Sequence, residues 1–412
     1  MNTKLTKLEK QWILYDVGNS AFILMVSTII PIYFNHLADL SAVPAASYLA
    51  YWGYAASIAT LAVAFSGPVI GTMADGKNRK KALFLISVLA GTICCAFLGF
   101  LSHWLIFLGI YVITKIAYSI SLIFYDSMLT DITLPERVDQ VSAQGYAWGY
   151  IGSCIPFVIS LIFVLGYESM GIPFSAAMIV AFLMVALWWL VLALPLLLNY
   201  RQVHFVSSDS LRVFDSFRRL GSTLKHIYRD KHVFWFLLAF FFYIDGVYTI
   251  MEMATAYGEA LGLDSSWLLA ALLTTQVTAF PCAILFGHLS RKFPAQQLIT
   301  VCITAYLLIA LFALQLDTQG EFWFLAVCVG IFQGGIQALS RSYFARIIPP
   351  EKSGEYFGIM DIFGKGASFL GTMLISIITQ ISGDINLGVG SIAFVFVIGL
   401  ILFRKAARIS GQ

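Results

Sequence analysis

Charge is what this sequence lacks. Asp, Glu, Lys and Arg together make up 11% of its 412 residues, against about 25% in a soluble domain. A chain of this length with so few charges cannot cover a water-facing surface, so its solvent is lipid. The 59% hydrophobic content and a mean hydropathy of +0.85 agree. Metal-site spacing is missing as well. Cys94, Cys95, Cys154, Cys282, Cys302 and Cys328 fall inside apolar runs, form no CxxC pair and have no histidines clustered near them. They read as small core residues, not as a disulfide framework or a metal centre. No phosphate-binding GxxxxGKS/T loop, HExxH helix or GxSxG elbow occurs, which argues against ATP-driven work and intramembrane hydrolysis. No cofactor, metal or nucleic acid is expected. The segment MNTKLTKLEKQW has no apolar h-region or cleavage site, so the first apolar run is expected to stay in the protein.

What is there is apolar length. Crossing about 30 Å of hydrocarbon takes roughly 20 residues. Twelve runs predict spans near 12–36, 47–71, 82–101, 104–129, 141–166 and 173–198, then 233–257, 266–289, 297–316, 320–345, 357–381 and 387–403. Basic residues occupy alternate loops: Lys4, Lys7 and Lys10 before span 1, Lys77, Arg79, Lys80 and Lys81 after span 2, and Arg137 after span 4. The central loop continues the series, followed by Arg291, Lys292, Arg346, Lys352, Arg404, Lys405 and Arg408. The loops between carry acids, among them Asp39, Glu168, Glu259, Asp264, Asp317 and Asp384. Positively charged loops stay inside during insertion, so both termini and the central loop are expected in the cytoplasm, with the chain in the cell (inner) membrane.

The expected domains are a six-helix bundle over 1–198, a basic central loop over 199–232 and a second bundle over 233–412. Landmarks recur about 215 residues apart: Gly71 and Gly287, Pro135-Glu136-Arg137 and Pro350-Glu351-Lys352, Gly149 and Gly364, Asp126 and Arg341. Duplicated halves around a midplane site are the plan of secondary transporters. Within the central loop, DSFRRLGSTLKHIYRDKH reads either as an amphipathic helix on anionic lipid or as a tether that sets topology.

The loop GTMADGKNRKK, Gly71 to Lys81, resembles the motif between helices 2 and 3 of the major facilitator superfamily, Gly-x-x-x-Asp-Arg-x-Gly-Arg-Arg/Lys. Gly71, Asp75, Arg79 and Lys80 fit it; Gly76 and Asn78 depart from it. The resemblance implies an all-α membrane fold of twelve helices in two pseudo-symmetric bundles, with Asp75 in a cytoplasmic latch; Arg79 is expected to join it in the gate. The echo after span 8, GHLSRKF, keeps Gly287 and Leu289 but lacks the acid, so the latch is expected on one side. Four further stretches are WILYDVGNSAF (Trp12 to Phe22), FYDSMLTDI with GYAWGYIGS (Phe124 to Ser153), FFYIDGVYTI (Phe241 to Ile250) and GGIQALSRSYFARIIPPEKSGEYFGIMDIFGKG (Gly334 to Gly366). Together they resemble the vacuole effluxer-like family of that superfamily, whose eukaryotic members are linked to amino-acid efflux from the vacuole during autophagy. Asp126 departs from the FYNS string of that family by replacing an amide with an acid.

Eight ionisable groups lie inside the predicted spans: Asp16, Lys115, Asp126, Asp245, Glu252, Arg341, Asp361 and Lys365. Each costs about 2.5–3.5 kcal/mol at the centre of a lone helix, so such groups face protein or water. Lys115, Tyr118 and Asp126 share a face of span 4; Asp245, Tyr248 and Glu252 share one on span 7. Gln333, Gln337 and Arg341 follow at i, i+4 and i+8 on span 10. Helices 1, 4, 7 and 10 line the cavity of the resembled superfamily, so these residues, with Asp16 and Asn19, are the candidates for solute binding and coupling. Two readings compete for Asp126, Arg341 and Asp361: a solute site, or a salt-bridge gate between halves. Asp361 and Lys365, at i and i+4, read as a gate pair or as mutually neutralising. Lys115 suits an anionic group of the solute. Asp245 suits an ammonium or a proton, because desolvation brings a carboxylate towards neutral titration, and Glu252 is the second proton candidate. Gly145, Gly149 and Gly152 form a small-residue face for close helix packing.

The expectation is therefore a monomeric secondary transporter, not an enzyme, moving a small polar solute by alternating access with a proton as coupling ion. Amino-acid-type efflux is what the resemblance implies. A phosphate-bearing metabolite held by Lys115 and Arg341 is the nearest alternative, and a non-transporting receptor or scaffold the alternative from another class.

Overall fold

The computed structural model describes residues 4–207, 213–260, 262 and 265–410. Among them there is no strand, only an isolated bridge between Gly76 and Val206. Span 1 begins at Lys7, five residues before the predicted edge, because Thr6 and Glu9 form a reciprocal capping box. It runs Lys7–Ser27, breaks at Thr28 and continues as Ile29–Leu40. Pro31 accounts for the break: its ring clashes with the carbonyl four residues back and it has no N–H to donate. The Thr28 hydroxyl donates to the Leu24 carbonyl, and that of Ser27 to Ile23, just before the break.

Span 2 is Ala45–Ala74, span 3 Lys80–Leu98, span 4 Trp104–Ser127, span 5 Val138–Gly166 and span 6 Phe174–Asn199. A linker helix, Val213–Arg229, follows within the central loop and packs on spans 2 and 7. The second half comprises span 7 Lys231–Ala260, span 8 Ser265–Leu289, span 9 Ala295–Phe312, span 10 Gln319–Ile347, span 11 Ser353–Ser382 and span 12 Ile385–Gly390 with Ile392–Ser410. Eleven described helices are long and apolar enough to cross a membrane; span 11 adds the apolar stretch Leu370–Ser382 beyond its polar first half. The chain is thus a multi-pass membrane protein with the twelve-helix plan. Phe65, Ile93, Phe97, Leu165, Leu187 and Phe394 are exposed on its flank, as a lipid-facing surface requires.

Small residues set the closest approaches. A Cβ on Gly152 would lie 2.4 Å from Val17, so span 5 seats directly on span 1. The two halves touch through span 2 with span 11, span 4 with span 11, and span 5 with spans 8 and 10. At the end carrying the basic loops (the basic end), a Cβ on Gly71 would lie 2.2 Å from the Gly354 carbonyl, and one on Gly287 would lie 2.8 Å from Ala143. Gly71 and Gly287, which recur in the sequence, therefore both sit at contacts between the halves.

Candidate functional site

Arg341 is the centre of the polar seam. The capping box of Thr318 and Glu321 starts span 10, and the i, i+4, i+8 row brings Gln333, Gln337 and Arg341 to one face. The buried guanidinium donates from Nη1 to Asp126 Oδ1 at 3.0 Å, from Nε to Ser142 Oγ at 2.9 Å and from Nη2 to the Ser142 carbonyl at 3.0 Å. Asp16 Oδ2 lies 3.5 Å from Nη2 and accepts the Tyr125 hydroxyl at 2.9 Å. Aromatic rings complete the enclosure. The guanidinium carbon is 4.2 Å from the Tyr146 ring centroid, 4.6 Å from Trp12 and 5.4 Å from Tyr125. Each such contact contributes about 0.5–2 kcal/mol. Gly145 makes room for the cluster: a Cβ there would sit 2.8 Å from Asp16 Oδ2 and 3.1 Å from Arg341 Nη2.

Asp126 and Arg341 are 215 positions apart, the spacing of the repeat, and yet they touch. Two equivalent positions of a pseudo-twofold pair can meet only on the axis. The ion pair therefore sits at the centre of the seam and joins the halves there. The Asp126 side chain is 28% exposed against 5% for Arg341, so water reaches the pair from the carboxylate side. Asp361, Asp126, Glu252 and Arg341 all act electrostatically on Tyr248, and the partly exposed Asp126 and Asp361 with the exposed Glu252 mark a cleft beside it. Lys115 acts on Glu252, an exposed residue further along the cleft.

Several expected cleft residues are placed elsewhere. Tyr118 packs against Phe22 and Trp189 inside the first half. Asn19 is buried and donates to the Tyr15 carbonyl at 3.0 Å. Gln333 is buried, while Gln337 accepts the Tyr150 hydroxyl at 3.2 Å across the seam. Asp245, expected to line the cavity, has no exposed surface, because its carboxylate is turned onto span 11. Asp361 lies on the cleft, but the Lys365 side chain falls outside the described residues. Lys115 and Arg341 do not form one anion site: Lys115 stands eleven residues, about 16 Å of helix rise, from the Asp126 that pairs with Arg341.

The basic end is held by two latches. On one side, Asp75 Oδ1 accepts the Gly354 N–H at 2.8 Å and Oδ2 the Glu355 N–H at 2.9 Å, so the acid caps the start of span 11. Its cationic neighbour is Lys80, not Arg79, since Lys80 at the head of span 3 turns inward and is wholly buried. Its Nζ donates to Ser353 Oγ at 2.8 Å and lies 3.6 Å from Asp131 and 4.0 Å from Asp75. Arg79 forms no ion pair among the described residues. Burial pushes the Asp75 carboxyl up to about 7, against the downward pull of Lys80 and the two N–H donors. The strand-like bridge adds a strap, with Val206 N–H donating to the Asp75 carbonyl at 2.8 Å. The linker helix brings Arg219 and Thr223 to face Glu355.

A second latch contradicts the one-sided expectation. Asp139, at the start of span 5, accepts Arg346 Nη1 at 2.8 Å and Ser342 Oγ at 2.5 Å, and Arg291 donates to Gln140 at 2.5 Å. The sequence signal missed was Asp139 itself, because the comparison sought an acid in the loop after span 8. Trp12, Tyr125, Tyr146 and Ser142 were missed too. Trp12, Tyr125 and Tyr146 lie within the quoted family strings, and all four are uncharged, so a search for intramembrane charge passes over them.

The description vacuole effluxer Atg22 like matches residues 44–136 and 131–408. The uncharacterized MFS-type transporter YxiO of Bacillus subtilis (strain 168) is 41% identical over 407 residues, 98% of this chain and 95% of that protein. Autophagy-related protein 22 of Kluyveromyces lactis is 25% identical over 286 residues, 64% of this chain and 57% of that longer relative. In fold, the chain is similar to the transporter FucP in its outward conformation (TM-score 0.74, 13% identity, 97% of each chain). It is likewise similar to the human organic anion transporter MFSD10 (TM-score 0.69, 14% identity, 96% of this chain and 99% of that one).

Proposed function

This chain belongs to the vacuole effluxer Atg22-like family of major facilitator transporters, and from that premise we propose that it exports a zwitterionic, amino-acid-type solute by alternating access. The observation that carries the reading is the amphoteric cluster at the centre of the seam. Arg341 offers a planar donor fork for a carboxylate, which guanidinium groups bind bidentately. Asp126, with Asp361 on the same cleft, offers charge to an ammonium. A solute carrying both groups replaces the Asp126–Arg341 contact with its own two ends, and so loosens the tie between halves only when it is bound.

The bodies that move in this proposal are 1–198 and 233–412, joined by 199–232. The basic end is cytoplasmic, since that is where Lys and Arg gather. The state described here is then closed to the cytoplasm by both latches, with Asp126 reached by water from the outer side. The driving ion is a proton, and the working unit is the monomer in the cell membrane. A phosphodiester held jointly by Lys115 and Arg341 is disfavoured by their separation along span 4.

Thermal unfolding of the purified protein against a panel of amino acids and glycerophosphodiesters tests the reading. Binding to the native state at 100 times Kd adds about 2.7 kcal/mol to apparent stability. Amino acids are expected to raise Tm in the native chain and not in Arg341→Gln. A shift produced only by phosphodiesters sinks the amino-acid reading.

A further inference from the structure

Asp245 has a place in the structure that the seam does not explain. It is wholly buried in span 7, and its Oδ1 accepts the Gly371 N–H of span 11 at 3.0 Å. Its other oxygen, Oδ2, has no hydrogen-bond partner among the described residues. Neither does the buried hydroxyl of Thr249, one helical turn further along span 7. Both side chains converge on Gly371: a Cβ there would lie 2.2 Å from Thr249 Oγ1. Around them, span 12 presents the Phe396 ring against Gly246, and the Tyr243 hydroxyl is already engaged with Ser340 of span 10 at 2.7 Å. Among the described residues, the ionisable group that acts on Asp245 is Glu252, which has the same sign. Asp361, on span 11, acts on Tyr248.

An ionised carboxylate with one unpartnered oxygen, and with an acid acting on it among the described residues, is costly to bury. One proton answers both unpartnered atoms: on Asp245 Oδ2 it becomes a donor, and Thr249 Oγ1 is the acceptor one turn away. We propose that Asp245 is the group that carries the transported proton, at a site separate from the solute cluster, with Thr249 as its acceptor and the Gly371 N–H as its link to span 11. The inference rests on the transporter reading above. Span 11 connects this site to the latch, because its first turn is the one capped by Asp75. Gly371 lies eighteen residues beyond Ser353, about 27 Å along the helix. When Asp245 releases its proton to the open side, the bare carboxylate needs water, and hydrating it parts span 7 from span 11. That movement pulls on the Asp75 cap.

Infrared difference spectroscopy of the purified protein in H2O and D2O, from about pH 5 to about pH 9, tests the proposal without any solute. Wild type is expected to show the C=O stretch of a neutral buried acid that Asp245→Asn removes. Thr249→Val is expected to move that band to higher frequency, and Thr249→Ser to return it. The proposal is overturned if no pH gives a band that Asp245→Asn abolishes, or if Thr249→Val leaves the band in place. It is also overturned if replacing potassium by sodium at constant pH erases the band, which would assign a sodium ion instead. Amino-acid binding does not enter this measurement, so the two readings stand or fall separately.

Discussion

The two latches at the basic end occupy equivalent places and are built differently. On the side of spans 2 and 11, the acid sits in the loop (Asp75) and the opposite helix offers bare N–H groups at Gly354 and Glu355. On the side of spans 5 and 8, the loop carries Ser290, and the acid, Asp139, has moved to the helix start, where Gly354 stands in the other half. The first latch is wholly buried and bonds to backbone. The second joins side chains, and its Arg346 is 30% exposed. A buried carboxylate bonded to fixed backbone donors loses more when broken than one whose cationic partner is partly in water. The duplicated fold thus has a stiff closure on one side and a yielding one on the other, and opening is expected to start at spans 5 and 8.

The largest effect should come from the cluster between the latches. Arg341→Gln leaves Asp16 and Asp126 without their cation, a loss of about 3–5 kcal/mol for a broken buried pair, read as a fall in Tm. Next, Gly71→Val and Gly287→Val set the sides against each other. The first meets backbone and should cost about 1–3 kcal/mol or more of the closed state, while the second meets the Ala143 side chain and should cost less. Spin-label distances across the basic ends would report both, and equal effects would erase the asymmetry. Asp75→Asn should follow, at about 1–3 kcal/mol of the closed state, against a smaller loss for Asp139→Asn, whose partner Arg346 is partly exposed. The same carboxylate makes the closure depend on pH. Asp75 titrates near 7 when buried, above its ordinary value of 3.8. Its contribution to the closed state is complete below that ordinary value and is lost as pH rises through about 7. The closed population should therefore decline between about pH 4 and about pH 7 and level off above, and Asp75→Asn should flatten the profile.

Much of this arrangement was legible in the sequence because lipid makes charge rare. With few ionisable groups inside the spans, Asp16, Asp126 and Arg341 stood out one by one, and the structure brings all three together. The 215-residue repeat made Asp126 and Arg341 equivalent positions, although spacing alone does not say that equivalent residues meet. What stayed hidden was direction. A helical stripe that holds Asp245, Tyr248 and Glu252 spans enough arc for Asp245 to turn onto span 11 while Glu252 faces the cleft. Neighbouring positions misled in the same way at Arg79 and Lys80, where one step along the helix start decides which cation is buried. Tyr118 illustrates a third limit, since an aromatic ring beside an apolar core gains more from burial against Trp189 than from lining water.

The central claim is that Arg341 and Asp126 hold the two ends of a zwitterion that this protein carries. Counterflow of a radiolabelled amino-acid mixture into vesicles reconstituted with the purified chain tests it most directly. The account predicts saturable counterflow in wild type that Arg341→Gln and Asp126→Ala each abolish. Counterflow that survives both substitutions, or wild-type vesicles that exchange no amino acid, would contradict it.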